Sequence, residues 1–407
     1  MTFSKISNLV LRVGGIGSKF LIFTLMSKYF NNDIFGDYSL ITSLITILIF
    51  ILGLDFYNFS IRDILTSNSE KLIRNKVFTT IIFYAIIYLL FIVIAYFVFD
   101  KITYLKPFKS LIIFLCITEH LSQEIYRLLV GFKKVLMANF LLFFRTAGWA
   151  IIIIYFLLSK IPITMLVIFK LWLLANTLTI VYVLIYILIR NYSFLNKVNI
   201  DLLWIKKGLK ICYLFFIATI SLKTIEYANR FIVDYYLGKE LAGIFIFYSN
   251  ITTLITIYVN TVVISFELPE LIKNTQTRKI KRLLIQFKKS LLLHVIISAI
   301  IILLIIKPLL FWQNKTEFEN YLPLLFFMLT AVSLMNYSLL YHFKLYIFHR
   351  DKSLFKIMIF SGIISLVLGF VFTKLLGIYG TAISFLISGV LIYYLRFIEA
   401  KKININD

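Results

Sequence analysis

The sequence predicts an all-α polytopic membrane protein, with about twelve transmembrane helices in two pseudo-symmetric six-helix bundles. Three observations predict it. Hydrophobic residues fill 61% of the 407 positions and charged residues only 15%, whereas a soluble domain is about 45–50% apolar. The apolar residues gather in runs long enough to cross a hydrocarbon core of about 30 Å as helix, not in the short alternating segments of a barrel. The cations between runs crowd into alternate connections.

Taken in order, the first half gives spans near Leu9–Phe30, Tyr38–Phe59, Val77–Phe99, Leu111–Val130, Leu136–Leu158 and Ile163–Ile189. The second half gives Leu209–Leu237, Leu241–Phe266, Leu283–Ile306, Leu322–Phe348, Ile357–Thr373 and Gly380–Phe397. The connection near 190–210 divides the chain into an N-terminal bundle, 1–195, and a C-terminal bundle, 196–407. Arg62, Lys71, Arg74 and Lys76 fall in one connection, Lys273, Arg278, Lys279, Lys281 and Arg282 in another, and Arg396, Lys401 and Lys402 at the end. The alternate connections hold only scattered lysines such as Lys101, Lys160 and Lys374. By the positive-inside rule both termini are expected on the cytoplasmic side.

The first run is no cleavable signal peptide, since Arg12 and Lys19 interrupt it and no small-residue cleavage pattern follows. The net charge of +23 sits in short connections and forms no basic domain for nucleic acid. Cys116 and Cys212 lie in separate runs, with no disulfide or metal spacing. No connection is long enough for a soluble active site, and no Ser-His-Asp, Walker A or zinc-ligand pattern appears. The chain is therefore read as no enzyme, with no cofactor and no metal.

The informative residues are cations inside apolar runs. Arg12 and Lys19 are seven residues apart on the first helix, as are Lys223 and Arg230 on the seventh, so each pair shares a helix face. A cation in hydrocarbon costs at least about 2.5–3.5 kcal/mol. Two basic faces therefore point to a water-filled cavity for an anionic substrate, with Lys19, Lys223, Arg230, Arg12 and Arg145 as binding residues. Gly15 and Ser18 make the first face small as well as polar, which allows close helix approach or space for solvent. Glu226 stands four residues before Arg230 and is placed to neutralise it. The fourth helix carries Glu119, His120, Gln123, Glu124 and Arg127. His120 and Glu124, with Glu226 and Asp55, are candidates for coupling to a proton or sodium gradient, or for structural ion pairing with Arg145 as a partner.

An internal repeat supports the six-plus-six division. YSLITSLIT at 38–46 matches YSNITTLIT at 248–256, and the two basic faces precede it, although the offsets disagree by a few residues, as chance similarity between Ile- and Thr-rich helices would also give. An even number of helices per half makes such repeats parallel.

The segment Lys19 to Lys28 (KFLIFTLMSK), then FGDY at 35–38 and LGLD at 52–55, resembles the N-terminal region of the Wzx-type O-antigen flippases. These belong to the multidrug/oligosaccharidyl-lipid/polysaccharide (MOP) exporter superfamily. RFIVDYYLG at 230–238 followed by Gly243 resembles the start of that family's second half. The resemblance implies a MATE-like fold. It implies a flippase that moves undecaprenyl-pyrophosphate-linked oligosaccharide, an O-antigen or capsule unit, from the cytoplasmic to the periplasmic leaflet by alternating access. Expected partners are that lipid, membrane lipids, a polysaccharide polymerase and a chain-length regulator. The charges on the fourth helix depart from the family pattern. Two alternatives stand beside this reading: a MATE-like drug/cation antiporter, which wants an acidic cavity, and a membrane-embedded polysaccharide polymerase or transferase, which wants a long external loop.

Overall fold

The structure, a computed structural model, describes residues 3–67, 69–190, 199–274 and 279–403. Within the first helix the side chains of residues 11, 14, 15 and 17 onward are described.

In chain order the helices of the first half are α1 (Phe3–Tyr29), α2 (Asn32–Gly53), α3 (Tyr57–Leu65), α4 (Glu70–Asp100), α5 (Lys109–Gly131), α6 (Val135–Phe143), α7 (Trp149–Leu158) and α8 (Met165–Arg190). Those of the second are α9 (Leu202–Leu237), α10 (Lys239–Val259), α11 (Ser265–Lys273), α12 (Ile280–Gln313), α13 (Thr316–Glu319), α14 (Leu322–Tyr337), α15 (Leu339–Ile347) and α16 (Asp351–Lys401). Among the described residues, 9 helical stretches are long and apolar enough to span a membrane. One of them, α16, has 51 residues and is two helices joined at Gly377, whose φ of 63° and ψ of −146° leave the helical region. At 1.5 Å per residue it would otherwise run about 76 Å, more than twice the hydrocarbon core. The charge-bearing helices α1 and α5 add two more, which brings the spans to the expected twelve.

Long helical faces are apolar and exposed. On α4 these include Leu89, Leu90, Val93, Ile94 and Phe97; on α12, Leu304, Ile305 and Phe311. With no water in a bilayer core, such faces are satisfied by acyl chains and the backbone by its own helix. The chain is a multi-pass membrane protein.

The chain forms two compact units, Met1–Tyr29 with Ile41–Phe216, and Phe30–Leu40 with Ile217–Asp407. In unit 1, Phe56, Phe59, Phe83, Tyr84, Trp204 and Cys212 form an aromatic core that fixes the start of α9 to α3 and α4. Gly208 sits hard against Phe56 and Phe59, leaving no room for a Cβ. In unit 2, Leu345, Leu354, Ile357 and Ala400 tie α15 to both ends of α16. Lys344 donates to the carbonyl oxygens of Ala400 (2.9 Å) and Ile403 (3.2 Å) and so caps the end of α16.

The repeat is visible as structure. Each half opens with a long helix, a tight link and a second span that breaks before a nine-residue helix. In the first half the break is the turn at Leu54 and Asp55 before α3; in the second it is a π-helical turn, Asn260–Ile264, before α11.

Candidate anion site and the neighbouring charge clusters

In unit 1 the cluster is built around Glu119 of α5. Its Oε1 accepts from Arg145 Nη1 at 2.6 Å, and its Oε2 from Trp172 Nε1 at 3.2 Å and Asn176 Nδ2 at 3.0 Å. Arg145 comes from a π-helical turn, Phe144–Gly148, between α6 and α7. Trp172 and Asn176 lie one turn apart on α8. Both members of the Glu119–Arg145 pair are buried. Glycine brings α1 against this turn: a Cβ on Gly15 would lie 2.7 Å from Thr146 Oγ1. The small-residue face of α1 therefore serves close approach.

That approach delivers Lys19. Its ammonium stands 5.8 Å from the centroid of the Trp172 ring, within cation–π range. Trp172 in turn stacks on Trp149, with centroids 5.4 Å apart. Lys19 forms no hydrogen bond and no ion pair with any described residue, and it is exposed. The nearby carboxylate is already committed to three other donors. Lys19 thus stands near Glu119 without pairing with it, in the middle of a helix that reads as a membrane span.

Unit 2 arranges the second basic face differently. Lys223 pairs with Glu226 Oε2 at 2.7 Å, and both are half-buried. Arg230 is buried and donates from Nη2 to Ser249 Oγ (3.0 Å) and Asn250 Oδ1 (2.9 Å) of α10. Tyr227 lies between the two cations, its ring 5.7 Å from the Lys223 ammonium and 4.5 Å from the Arg230 guanidinium. The ion pair that Glu226 makes is with Lys223, not the expected one with Arg230, because the i,i+3 geometry suits a flexible lysine while Arg230 is drawn to the polar oxygens of α10.

The remaining expected residues gather elsewhere. His120 and Glu124 lie together on α5, with Arg127 bonded to Glu124. Asp55 is buried in the turn after α2. Arg12 lies on α1, but its side chain is outside the described residues. Arg145, expected among the binding cations, spends its charge on Glu119. Arg396 also departs from the reading of the sequence. Arg396, grouped with the connection cations Lys401 and Lys402, is buried within α16 and donates from Nη1 to Ser338 Oγ at 2.7 Å. Trp172 and Asn176 had not been singled out, although their i,i+4 spacing on an apolar helix is the pattern of a shared polar partner.

No protein-family model matches the chain, and no curated protein matches it by sequence. Solved structures do match by fold. The lipid II flippase MurJ, in an inward closed conformation, superimposes with a TM-score of 0.71 at 14% identity, over 99% of this chain and 88% of that one. A multidrug resistance MATE family transporter of the MOP superfamily, in an outward-facing conformation, gives 0.70 at 11% identity, over 98% and 94%. The fold is that of the MOP-superfamily transporters. A further MOP transporter, from Pyrococcus furiosus, gives 0.64 at 10% identity over 98% and 95%; for it, reverse polarity of the binding pocket suggests a different function.

Proposed function

We propose that this chain is a flippase for an undecaprenyl-pyrophosphate-linked oligosaccharide, an O-antigen or capsule repeat unit, carried from the cytoplasmic to the periplasmic leaflet of a bacterial inner membrane. The observation that carries the reading is Lys19, an exposed cation that forms no ion pair with any described residue, on a helix that reads as a membrane span. Keeping such a charge unpaired in a span is costly, and an anionic ligand repays the cost. A pyrophosphate supplies two or more charges at one point, while the polyprenyl tail stays in lipid and needs no protein cavity.

The fold supports the reading without selecting the substrate. MurJ, named as a flippase for lipid II, and the MATE transporters share it. The basic faces of α1 and α9 favour an anionic cargo over the cationic drugs of an antiporter. Alternating access, with both termini cytoplasmic and a polymerase and chain-length regulator acting afterwards on the outer leaflet, completes the proposal.

Deleting the gene and locating the undecaprenyl-linked units in the host membrane tests it. Single units accumulating on the cytoplasmic leaflet, with surface polymer lost, is the expected result. Accumulation on the outer leaflet would indicate a polymerase-like step instead, and unchanged polymer with altered drug sensitivity an antiporter.

A further inference from the structure

A second cluster in unit 1 is left without work by the anion site, and it lies where α2 breaks. After Gly53 both Leu54 and Asp55 take left-handed backbone, with φ of 46° and 50°. That region is unfavourable for an L-residue, and two side-chain-bearing residues hold it in succession only because their surroundings enforce it. The LGLD segment at 52–55, singled out in the sequence, is this strained elbow.

His120 of α5 supports the elbow from below. It is 1% exposed. Its Nδ1 lies 2.6 Å from the hydroxyl of Tyr88 on α4. Its Nε2 makes no hydrogen bond, stands 3.7 Å from Glu124 Oε1, and faces Gly53, where a Cβ would come within 3.0 Å of it. Glu124 is bonded to Arg127, and the Arg127 guanidinium lies 3.6 Å from the ring centroid of Tyr57, the first residue of α3. The chain of contacts thus runs from the imidazole to both arms of the elbow: directly to Gly53, and through Glu124 and Arg127 to Tyr57.

We propose that His120 and Glu124 form a proton-binding site that sets the conformation of the α2–α3 elbow. A proton taken from the aqueous phase onto the imidazole makes Nε2 a charged donor facing a buried carboxylate just beyond hydrogen-bond reach. In a low-dielectric interior that attraction is strong. Closing the gap moves Glu124 away from Arg127 and relaxes the hold of Arg127 on Tyr57; loss of the proton to water restores it. The described groups facing His120 are Tyr84 and Tyr88 from α4 and Glu124 and Arg127 from its own helix; Glu124 is also hydrogen-bonded by Tyr84 and faces Asp55 of the elbow, with Cys212 of α9 behind Tyr84. Glu124, 3.7 Å away, attracts the imidazolium, while burial and Arg127 oppose it. Glu119, one residue before His120, is bound to Arg145 and belongs to the other cluster.

The site titrates without substrate, so its test stands apart from that of the flippase reading. Hydrogen–deuterium exchange of the elbow amides, residues 53–60, is measured on the full-length protein in lipid nanodiscs. Labelling times are scaled for the intrinsic pH dependence of exchange. Between about pH 8 and about pH 3.5, a window that spans the ordinary histidine range and extends below it, elbow exchange should change by about tenfold, the mark of a local opening linked to protonation. His120→Gln, which fills the site without titrating, should abolish the change. Tyr88→Phe, which keeps every charge and the packing, should retain the change and displace its midpoint; this variant decides the matter if His120→Gln fails to reach the membrane. Equal exchange at both pH values in the unaltered protein, an undiminished change in His120→Gln, or an unmoved midpoint in Tyr88→Phe would each overturn the proposal.

Discussion

The basic faces of α1 in unit 1 and α9 in unit 2 look equivalent in sequence, two cations seven residues apart, yet their neighbours leave them in different electrostatic states. On α9 each cation is answered nearby: Lys223 by Glu226, Arg230 by Ser249 and Asn250. On α1 the nearest carboxylate is spent, since Glu119 already receives Arg145, Trp172 and Asn176. Lys19 is what remains. The availability of a cation is set by the commitments of its neighbours more than by its own position, and Arg145, by occupying Glu119, leaves Lys19 without an ion pair.

That comparison can be broken most severely at Glu119. Glu119→Ala leaves Arg145 buried without its counter-ion, and breaking a buried pair costs about 3–5 kcal/mol. Thermal unfolding in detergent should fall accordingly, and adding Arg145→Met should recover most of the loss. Failure of that second change to rescue would mean that Glu119 is held for Trp172 and Asn176 instead. A smaller effect is expected from Arg230→Lys, which keeps the charge but loses the guanidinium fork reaching Ser249 and Asn250. Hydrogen bonds to charged groups contribute about 1.5–3 kcal/mol, so stability should drop within that range. Exchanging the charges, Lys223→Glu with Glu226→Lys, should change stability by less than about 1 kcal/mol, because half-exposed pairs contribute little. A large loss would show that Lys223 acts on its own.

The smallest effect concerns a clasp outside the spans. Asp63 of α3 accepts from Trp204 Nε1 at 2.7 Å and is bonded to Lys76. Burial alone would raise its carboxyl, but the hydrogen bonds from Lys76 and Trp204 outweigh that and hold it below its ordinary value of 3.8. A depressed carboxyl stabilises the folded state above the unfolded value and loses that contribution as pH falls through the folded one. Trp204 fluorescence should therefore hold steady from neutrality down to about pH 4 and change only below it. In Asp63→Asn the acid transition should be absent.

Much of this was legible in the sequence, and the reasons differ by feature. The spans follow from run length and hydropathy, and the repeat from matching segments, because both are properties of neighbours along the chain. Glu119 and Arg145 are 26 residues apart and meet only because α5, the π-helical turn and α8 converge, which no local pattern encodes. Arg396 read as a connection cation from its nearness to Lys401 and Lys402, whereas α16 carries helix to Lys401 and takes Arg396 inside. The elbow at Leu54 and Asp55 had no glycine at the left-handed positions to announce it. Glu226 was set against Arg230 by spacing alone, and the oxygens of α10 drew Arg230 away.

The central claim is that Lys19 is the charge left available for an anionic headgroup. The direct measurement is flipping of an undecaprenyl-pyrophosphate-linked saccharide in proteoliposomes, comparing Lys19→Ala, Lys19→Arg and the paired change Lys223→Ala with Glu226→Gln at equal protein levels. The account predicts a loss of about ten- to a hundredfold for Lys19→Ala, the range that losing a charge-assisted contact gives. It predicts near-normal flipping for Lys19→Arg and a lesser loss for the paired change. Full activity in Lys19→Ala, with the paired change inactive, would contradict it and move the anion site to α9.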